Sequence, residues 1–156
     1  MKHNTFEIIA DNVLAGAAYT SQSSDSASVK EQHMDNVNHP KHYENGPFEC
    51  IELTRLLSFD WGNVVKYCYR WQSKNGVEDL RKAFWYAKDA TMRGVQFYCD
   101  LDCAGPHARP LLEYLAEIDW AGLSDVWKAL AFGPRQKVLT VLVRKIAELE
   151  NEKDGE

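Results

Sequence analysis

The sequence predicts an all-α protein, a small helical bundle preceded by a flexible N-terminal segment. Apolar residues recur at spacings of three and four in several segments, which is the period of an amphipathic helix. No segment alternates apolar and polar residues convincingly over the length of a strand. The 156 residues suit one domain, and a chain of this length can bury most of its unfolded surface.

Three parts are predicted along the chain: an N-terminal segment (1–36), a helical domain (37–151) and an exposed acidic tail (152–156). Residues 17–36 are rich in Ser, Gln, Asp and Ala, and their burial cannot offset the entropy of ordering them. We therefore predict a flexible linker there. The stretch before it, 5–16, fits either a short docking helix or a poorly ordered terminus.

Apolar periodicity, caps and breakers predict six helices in the domain. Pro47 suits the first position of the first helix, and Gly76 and Gly94 suit the ends of the second and third. The sequence pattern also permits the third helix to continue over 95–101. One Gly-Pro pair and one Arg-Pro pair within 105–110 predict a loop. The predicted helices cover 47–57, 61–73, 77–94, 111–118, 123–131 and 134–151.

Charge is distributed unevenly. The chain has a net charge of −5, yet residues 62–93 carry seven basic and three acidic side chains. One basic segment within an acidic protein argues against binding of extended nucleic acid, which needs a broad positive surface. It fits a small anion held locally. No apolar run approaches the ~20 residues of a membrane span, and no signal peptide is recognised, so we expect a cytoplasmic protein.

Four polar residues share one face if 61–73 is a helix: Asn63, Lys66, Arg70 and Lys74. We call Lys66, Arg70 and Lys74 the cation cluster. Cationic side chains at this spacing give a phosphate group convergent charge-assisted donors. The alternative is an ordinary solvated helix face. As an exposed ligand, Arg70 is expected to contribute to nucleotide binding and little to stability.

Two histidines and a tyrosine precede this face on a turn stiffened by Pro40. His39 and His42 are the candidate catalytic residues, because histidine gains or loses a proton near neutral pH. Tyr43 is a candidate for stacking on a base or for packing. A surface turn with two satisfied histidines is the alternative. The five tryptophans are interpreted as core residues rather than a platform for a base.

Motifs that would settle the chemistry are absent, including the phosphate-binding loop and the dinucleotide fingerprint. Four carboxylates on two helices could hold Mg²⁺ near a phosphate, or serve only in capping and ion pairs: Glu49, Glu52, Glu78 and Asp79. Cys99, Cys103 and His107 are spaced four residues apart. We do not expect them to bind zinc, since a fourth ligand is missing. Cys50 and Cys68 are expected to be buried, and no metal site is assigned.

The succession of these motifs resembles a small bacteriophage domain family. The resemblance covers about residues 37–90 and rests on Val37 to Tyr43, Glu49 to Glu52, Gly62-Asn63 with Lys66-Tyr67 and Arg70, Lys74, Glu78 to Leu80, and Lys82-Ala83 with Trp85-Tyr86. Members are described as domains of unknown function or as nucleotide-kinase-like, and a deoxynucleoside monophosphate kinase from an early phage gene resembles the family.

The resemblance implies a phage protein that phosphorylates deoxynucleoside monophosphates in the infected cell, with ATP as donor and Mg²⁺ as a candidate cofactor. Its site residues would be His39, His42, Tyr43, Asn63, Lys66, Arg70 and Lys74. Two alternatives stay open. One is a binding protein that sequesters a nucleotide signal or inhibits a host defence protein. The other is an all-α nucleotide pyrophosphohydrolase.

The last predicted helix is rich in apolar residues for so small a domain. We therefore expect a closed homo-oligomer in which part of this helix packs against a symmetry mate. The residues assigned to that interface are Val138, Val141, Leu142 and Ile146.

Overall fold

Six α-helices account for most of the described residues, which are 46–100 and 104–154 of the computed structural model. They are α1 (Cys50–Thr54), α2 (Phe59–Arg70), α3 (Val77–Arg93), α4 (Ala104–Glu117), α5 (Ser124–Phe132) and α6 (Arg135–Asp154). Two 3₁₀ turns, Trp71–Ser73 and Trp120–Gly122, follow α2 and α4. Within these ranges there is no strand beyond an isolated bridge between Leu57 and Tyr98, so the all-α prediction is confirmed. The predicted flexible segment, 1–36, lies outside the described residues.

Helices α2 and α3 form the pair around which the other helices pack. The buried side of α2 is the one that the sequence predicts, with Val64, Val65 and Cys68 fully covered. Alanines at 83, 87 and 90 face inward from α3, and their short side chains allow the helices to approach closely. Helix α6 packs on α3, and α5 contacts both α4 and α6.

Tryptophans fill much of the core. Trp61 and Trp127 are completely buried, and their indole N–H groups donate to the carbonyls of Val95 and Trp120 at 3.2 and 2.8 Å. A buried indole needs such a partner, because its unpaired N–H would cost free energy. Trp71 and Trp120 likewise donate to backbone carbonyls, of Ala121 and Tyr69.

The first helix is shorter than predicted. It begins at Cys50 rather than at Pro47, because Glu49 and Glu52 form a reciprocal capping box that fixes the start. It ends at Thr54, after which Leu57 bridges to Tyr98. Ile51, expected to face inward, is 49% exposed.

The predicted loop over 105–110 is wrong, since α4 runs through both prolines. Pro106 lies in the first turn, where backbone N–H groups lack an intrahelical acceptor in any case. Pro110 lies inside the helix, and its missing N–H costs one bond. Leu112 and Leu115, fully buried, hold the helix against the core despite that loss.

Helix ends also correct two expectations. Gly94 closes α3 in the left-handed conformation, with φ +64° and ψ 33°, so the helix does not continue over 95–101. Gly76 also has a positive φ, +59°, although its ψ of −140° is not left-handed helical. At the C-terminus α6 extends to Asp154, so residues 152–154 are helical rather than a tail.

The apolar face of α6 packs within its own chain. Val138 and Leu142 are fully buried and Val141 is 6% exposed, while Ile146 is half-buried. The predicted oligomer interface is therefore wrong as to Val138, Val141 and Leu142, because the core already covers them, and the oligomeric state stays a prediction.

Replacing Gly94 with alanine should reduce the free energy of unfolding by about 1–2 kcal/mol, since a Cβ is disfavoured in the left-handed region. No atom lies within 4 Å of that Cβ, so the cost comes from the backbone alone. Gly105→Ala is the control, because it lies in α4 and its Cβ would meet Tyr98 at an ordinary 3.4 Å. That variant should be neutral or stabilised by up to ~1 kcal/mol. Urea unfolding measures both, and equal effects would contradict this explanation.

Candidate functional site

The candidate site can be examined on α2 and α3 only. His39, His42 and Tyr43 lie outside the described residues, so their predicted roles stay predictions. Asn63, Lys66 and Arg70 do share one face of α2, at the spacing that the sequence predicts.

Asn63 has a positioning contact rather than a free amide. Its Nδ2 donates to the carbonyl of Phe59 at 2.9 Å, and its Oδ1 accepts from the Lys66 ammonium at 2.6 Å. The residue is 8% exposed. Asn63 therefore orients the Lys66 side chain along the surface of α2.

Arg70 is buried, contrary to the expectation of an exposed cation. It is 9% exposed, and its Nε donates to Oδ2 of Asp79 at 3.1 Å. Asp79 is fully buried, and its Oδ1 accepts from the Asn75 amide at 2.9 Å. Since removal of one partner would leave a buried charge unpaired, Arg70 has a structural role that the sequence did not reveal.

Lys74 lies beyond the helix, because α2 ends at Arg70 and a 3₁₀ turn follows. The residue is exposed. It nevertheless remains close enough for its charge to lower the pKa of Lys66. The cation cluster is thus retained, with Lys74 reaching it from the turn and not from the helical face.

Lys66 is the electrostatically strained member of the cluster. Burial lowers its pKa most, and the charge of Arg70 lowers it further. The charge of Asp79 acts in the opposite direction on this pKa, and no carboxylate within the described residues forms a salt bridge with Lys66. An added anion would relieve this repulsion.

The four candidate metal carboxylates are engaged elsewhere. Glu49 and Glu52 cap α1, Glu78 pairs with Lys82 at 2.6 Å, and Asp79 binds Arg70. Nowhere in 46–100 or 104–154 do three or more His, Cys, Asp or Glu side chains form a group that could hold a metal. Their alternative interpretation, capping and ion pairing, is confirmed.

Cysteines behave as the sequence predicts where they are described. Cys50 and Cys68 are buried, and burial raises the pKa of the Cys50 thiol to about 12 and that of Cys68 further. These thiols are therefore protonated at neutral pH. Cys99 is exposed, and Cys103 lies outside the described residues.

The sequence did not lead us to predict that two tyrosines form a stacked pair beside the cation cluster. The rings of Tyr67 and Tyr86 stack across α2 and α3 with centroids 5.9 Å apart. Three cations surround the Tyr67 ring: Lys66 Nζ at 4.7 Å, Arg70 Cζ at 4.9 Å and Lys82 Nζ at 6.0 Å from its centroid. The signal was present in Lys66-Tyr67 and in the four-residue step from Lys82 to Tyr86.

One tryptophan corrects the expectation that all five are core residues. Trp85 is 60% exposed, and its ring lies edge-on to Tyr86 at 5.0 Å. Phe59, 77% exposed, also meets Tyr86 edge-on at 6.3 Å. Exposed aromatic side chains therefore border the cations on the same pair of helices.

Two surface grooves occur away from this face. They have volumes of about 390 and 620 Å³ and lie along α5 and α6, with Asp125, Val141 and Arg144 lining both. None of the residues that line these two grooves belongs to the cation cluster. Over the described ranges, no helix has the length and apolar character needed to cross a membrane.

Family comparison covers the part of the chain that carries this face. Residues 37–88 match the model of the DUF3310 family. That family is described as a protein of unknown function, and the description names neither a nucleotide nor a phage. No curated protein and no solved structure matches the chain. The matched residues include α1, α2 and most of α3, and hence the whole cation cluster.

Replacing Arg70 with alanine should reduce the free energy of unfolding by ~3–5 kcal/mol, because Asp79 would remain buried without its guanidinium partner. Arg81→Ala is the matched control. Arg81 pairs with Glu150 at 2.6 Å, but both side chains are largely exposed, so its loss should cost ~1 kcal/mol or less. Chemical denaturation measures the two. Similar costs for Arg70→Ala and Arg81→Ala would show that burial of the first ion pair is energetically unimportant.

Proposed function

We propose that this protein binds a nucleotide through its phosphates at the cation cluster, with Lys66 as the principal ligand and Lys74 as the second. The observation that carries the proposal is the state of Lys66. Its ammonium is half-buried, repelled by Arg70 and Lys74, and without a salt-bridge partner in the described residues. Phosphate oxygens would supply the missing negative charge.

Arg70 supports the site in a different way from that expected. Its Nε is committed to Asp79, while its guanidinium carbon lies 4.9 Å from the Tyr67 ring. It therefore holds α2 and α3 together and adds positive potential beside Lys66. Within the described residues neither Lys66 nor Lys74 forms an ion pair, and the contact of Lys66 is with the neutral amide of Asn63, so these two side chains are available to a phosphate.

Phosphoryl transfer onto a deoxynucleoside monophosphate is the reaction we propose for this site, as in the kinase that the sequence resembles. Such catalysis depends on positioning and on neutralising phosphate charge. Lys66 and Lys74 would neutralise the phosphates, and His39 or His42 would orient a phosphate or move a proton. ATP would be the donor with Mg²⁺ bound mainly through the phosphates.

Replacing Lys66 with methionine should weaken nucleotide binding by ~1.5–3 kcal/mol, the range for a hydrogen bond to a charged group. Lys74→Met should weaken it less, because Lys74 is exposed. The control is Lys128→Met, an exposed lysine of α5 outside the cluster. Calorimetric titration with each deoxynucleoside monophosphate and with ATP measures the affinities. Unchanged affinity in both cluster variants would exclude this face as the phosphate site.

Product analysis separates the proposed reaction from its alternatives. Incubation with a deoxynucleoside monophosphate, ATP and Mg²⁺ should yield the diphosphate, resolved by chromatography. Binding without any product would establish a non-catalytic nucleotide-binding protein. Release of pyrophosphate from triphosphates would establish a hydrolase instead.

The affinity for nucleotide should fall as pH rises, because only the protonated Lys66 attracts phosphate. Its pKa in the folded protein is below the ordinary 10.5, so the fall should begin at a lower pH than for an unperturbed lysine. Lys66→Arg should retain affinity over the same range, since a guanidinium stays charged. Titrations between pH 7 and 10 test this. Parallel decline in wild type and Lys66→Arg would assign the pH dependence to another group.

A further inference from the structure

Trp85 is exceptional among the five tryptophans. Each of the other four indoles donates a hydrogen bond to a backbone carbonyl in the core or at its edge. No hydrogen bond to Trp85 is found within the described residues, and 60% of the side chain is exposed. Trp85 therefore lacks the contacts by which the other indoles stabilise the fold.

Aromatic contacts connect Trp85 to the cation cluster. Trp85 touches Tyr86, Tyr86 stacks on Tyr67, and Tyr67 lies beside the Lys66 ammonium. On α3, Lys82 lies one turn before Trp85, and side chains three apart on a helix are neighbours. Neighbouring aromatic side chains thus connect an exposed ring to Lys66, which forms no ion pair within the described residues.

We propose that Trp85, which like Phe59 contacts the Tyr86 ring, stacks on the base of the nucleotide whose phosphates lie at Lys66 and Lys74. This inference rests on the proposed function and specifies its ligand: a molecule with a planar base as well as phosphates. Aromatic side chains stack on any nucleobase, and cations track the attached phosphates. A simple phosphate compound would use only the lysines.

The charge next to Trp85 favours a nucleotide over a hydrophobic protein segment as occupant. Lys66, Arg70 and Lys82 all lie within 6.0 Å of the Tyr67 ring centroid, so an apolar partner would have to desolvate part of this charge. A nucleotide pairs Lys66 with phosphate and covers the ring with its base. A second copy of this chain seated on Trp85 is the competing outcome that the test must detect.

The test compares two ligands and two aromatic variants. Deoxynucleoside monophosphates and diphosphates present base and phosphate, whereas inorganic tripolyphosphate presents phosphate alone. Trp85→Ala should weaken binding of the nucleotides by about 5- to 150-fold, the equivalent of one stacked base. It should leave tripolyphosphate affinity within about twofold, the effect of a minor surface change. Phe132→Ala is the matched control, since Phe132 is 58% exposed on α5, away from the cluster.

Fluorescence gives an independent readout. Bound nucleotide should quench the emission of Trp85, and Trp85→Phe should abolish that quenching while retaining most of the affinity. The other indoles are held within the fold by their carbonyl partners, so they should contribute little to the change.

Failure of the inference can be told from failure of the proposed function. If wild-type protein binds nucleotides and Lys66→Met weakens both ligands, but Trp85→Ala binds nucleotides as wild type does, the base does not stack on Trp85. A lower molar mass of Trp85→Ala in light scattering, with nucleotide affinity unchanged, would likewise overturn the inference in favour of a subunit interface. If wild type binds neither nucleotide nor tripolyphosphate, both proposals are wrong.

Discussion

The buried ion pair between Arg70 and Asp79 fixes the end of α2 to the start of α3. At the opposite end of the two helices, Arg93 bonds Asp60 at 2.7 Å, so the antiparallel pair is joined at both ends. Only the first pair is fully enclosed, and leaving one of its charges unpaired would be costly. The direction in which Lys66 and Tyr67 face solvent depends on this fixed helix pair.

Electrostatic compensation within the helix pair is incomplete. Asp79 pairs with Arg70, and Glu78 pairs with the partly exposed Lys82. The charged form of Lys66, in contrast, is disfavoured by burial and by repulsion from Arg70. A chain selected for stability alone would gain by replacing such a lysine, whereas sites that bind anions keep perturbed cations.

The DUF3310 segment depends on the remainder of the chain for its core. Helix α6 covers α3. Trp71, just after α2, donates to the Ala121 carbonyl, and Trp120, in the turn before α5, donates to the Tyr69 carbonyl of α2. Within the described residues, Lys66 and Tyr67 of this helix pair are half-buried and Trp85 is exposed. The C-terminal helices therefore stabilise the helix pair by packing against it, and the grooves along α5 and α6 form a separate surface.

Local sequence determined the helical class and several helix ends. Apolar periodicity defined the buried sides of α2 and α3, and Gly94 stops α3 because glycine adopts the left-handed conformation without a Cβ clash. The spacing of Asn63, Lys66 and Arg70 likewise follows from the helical repeat. These features depend on residues within a few positions of one another, which is the range that a sequence pattern reports.

Tertiary packing decided what each side chain does. Whether Arg70 meets solvent or Asp79 depends on where α3 lies, and nothing in the α2 sequence contains that information. Burial of Leu112 and Leu115 holds α4 together through two prolines that local preference places in a loop, because tertiary contacts outweigh one lost hydrogen bond. Trp85 is a large aromatic residue of the kind usually found in a core. The neighbouring helices cover the opposite face of α3, however, so its indole remains at the surface.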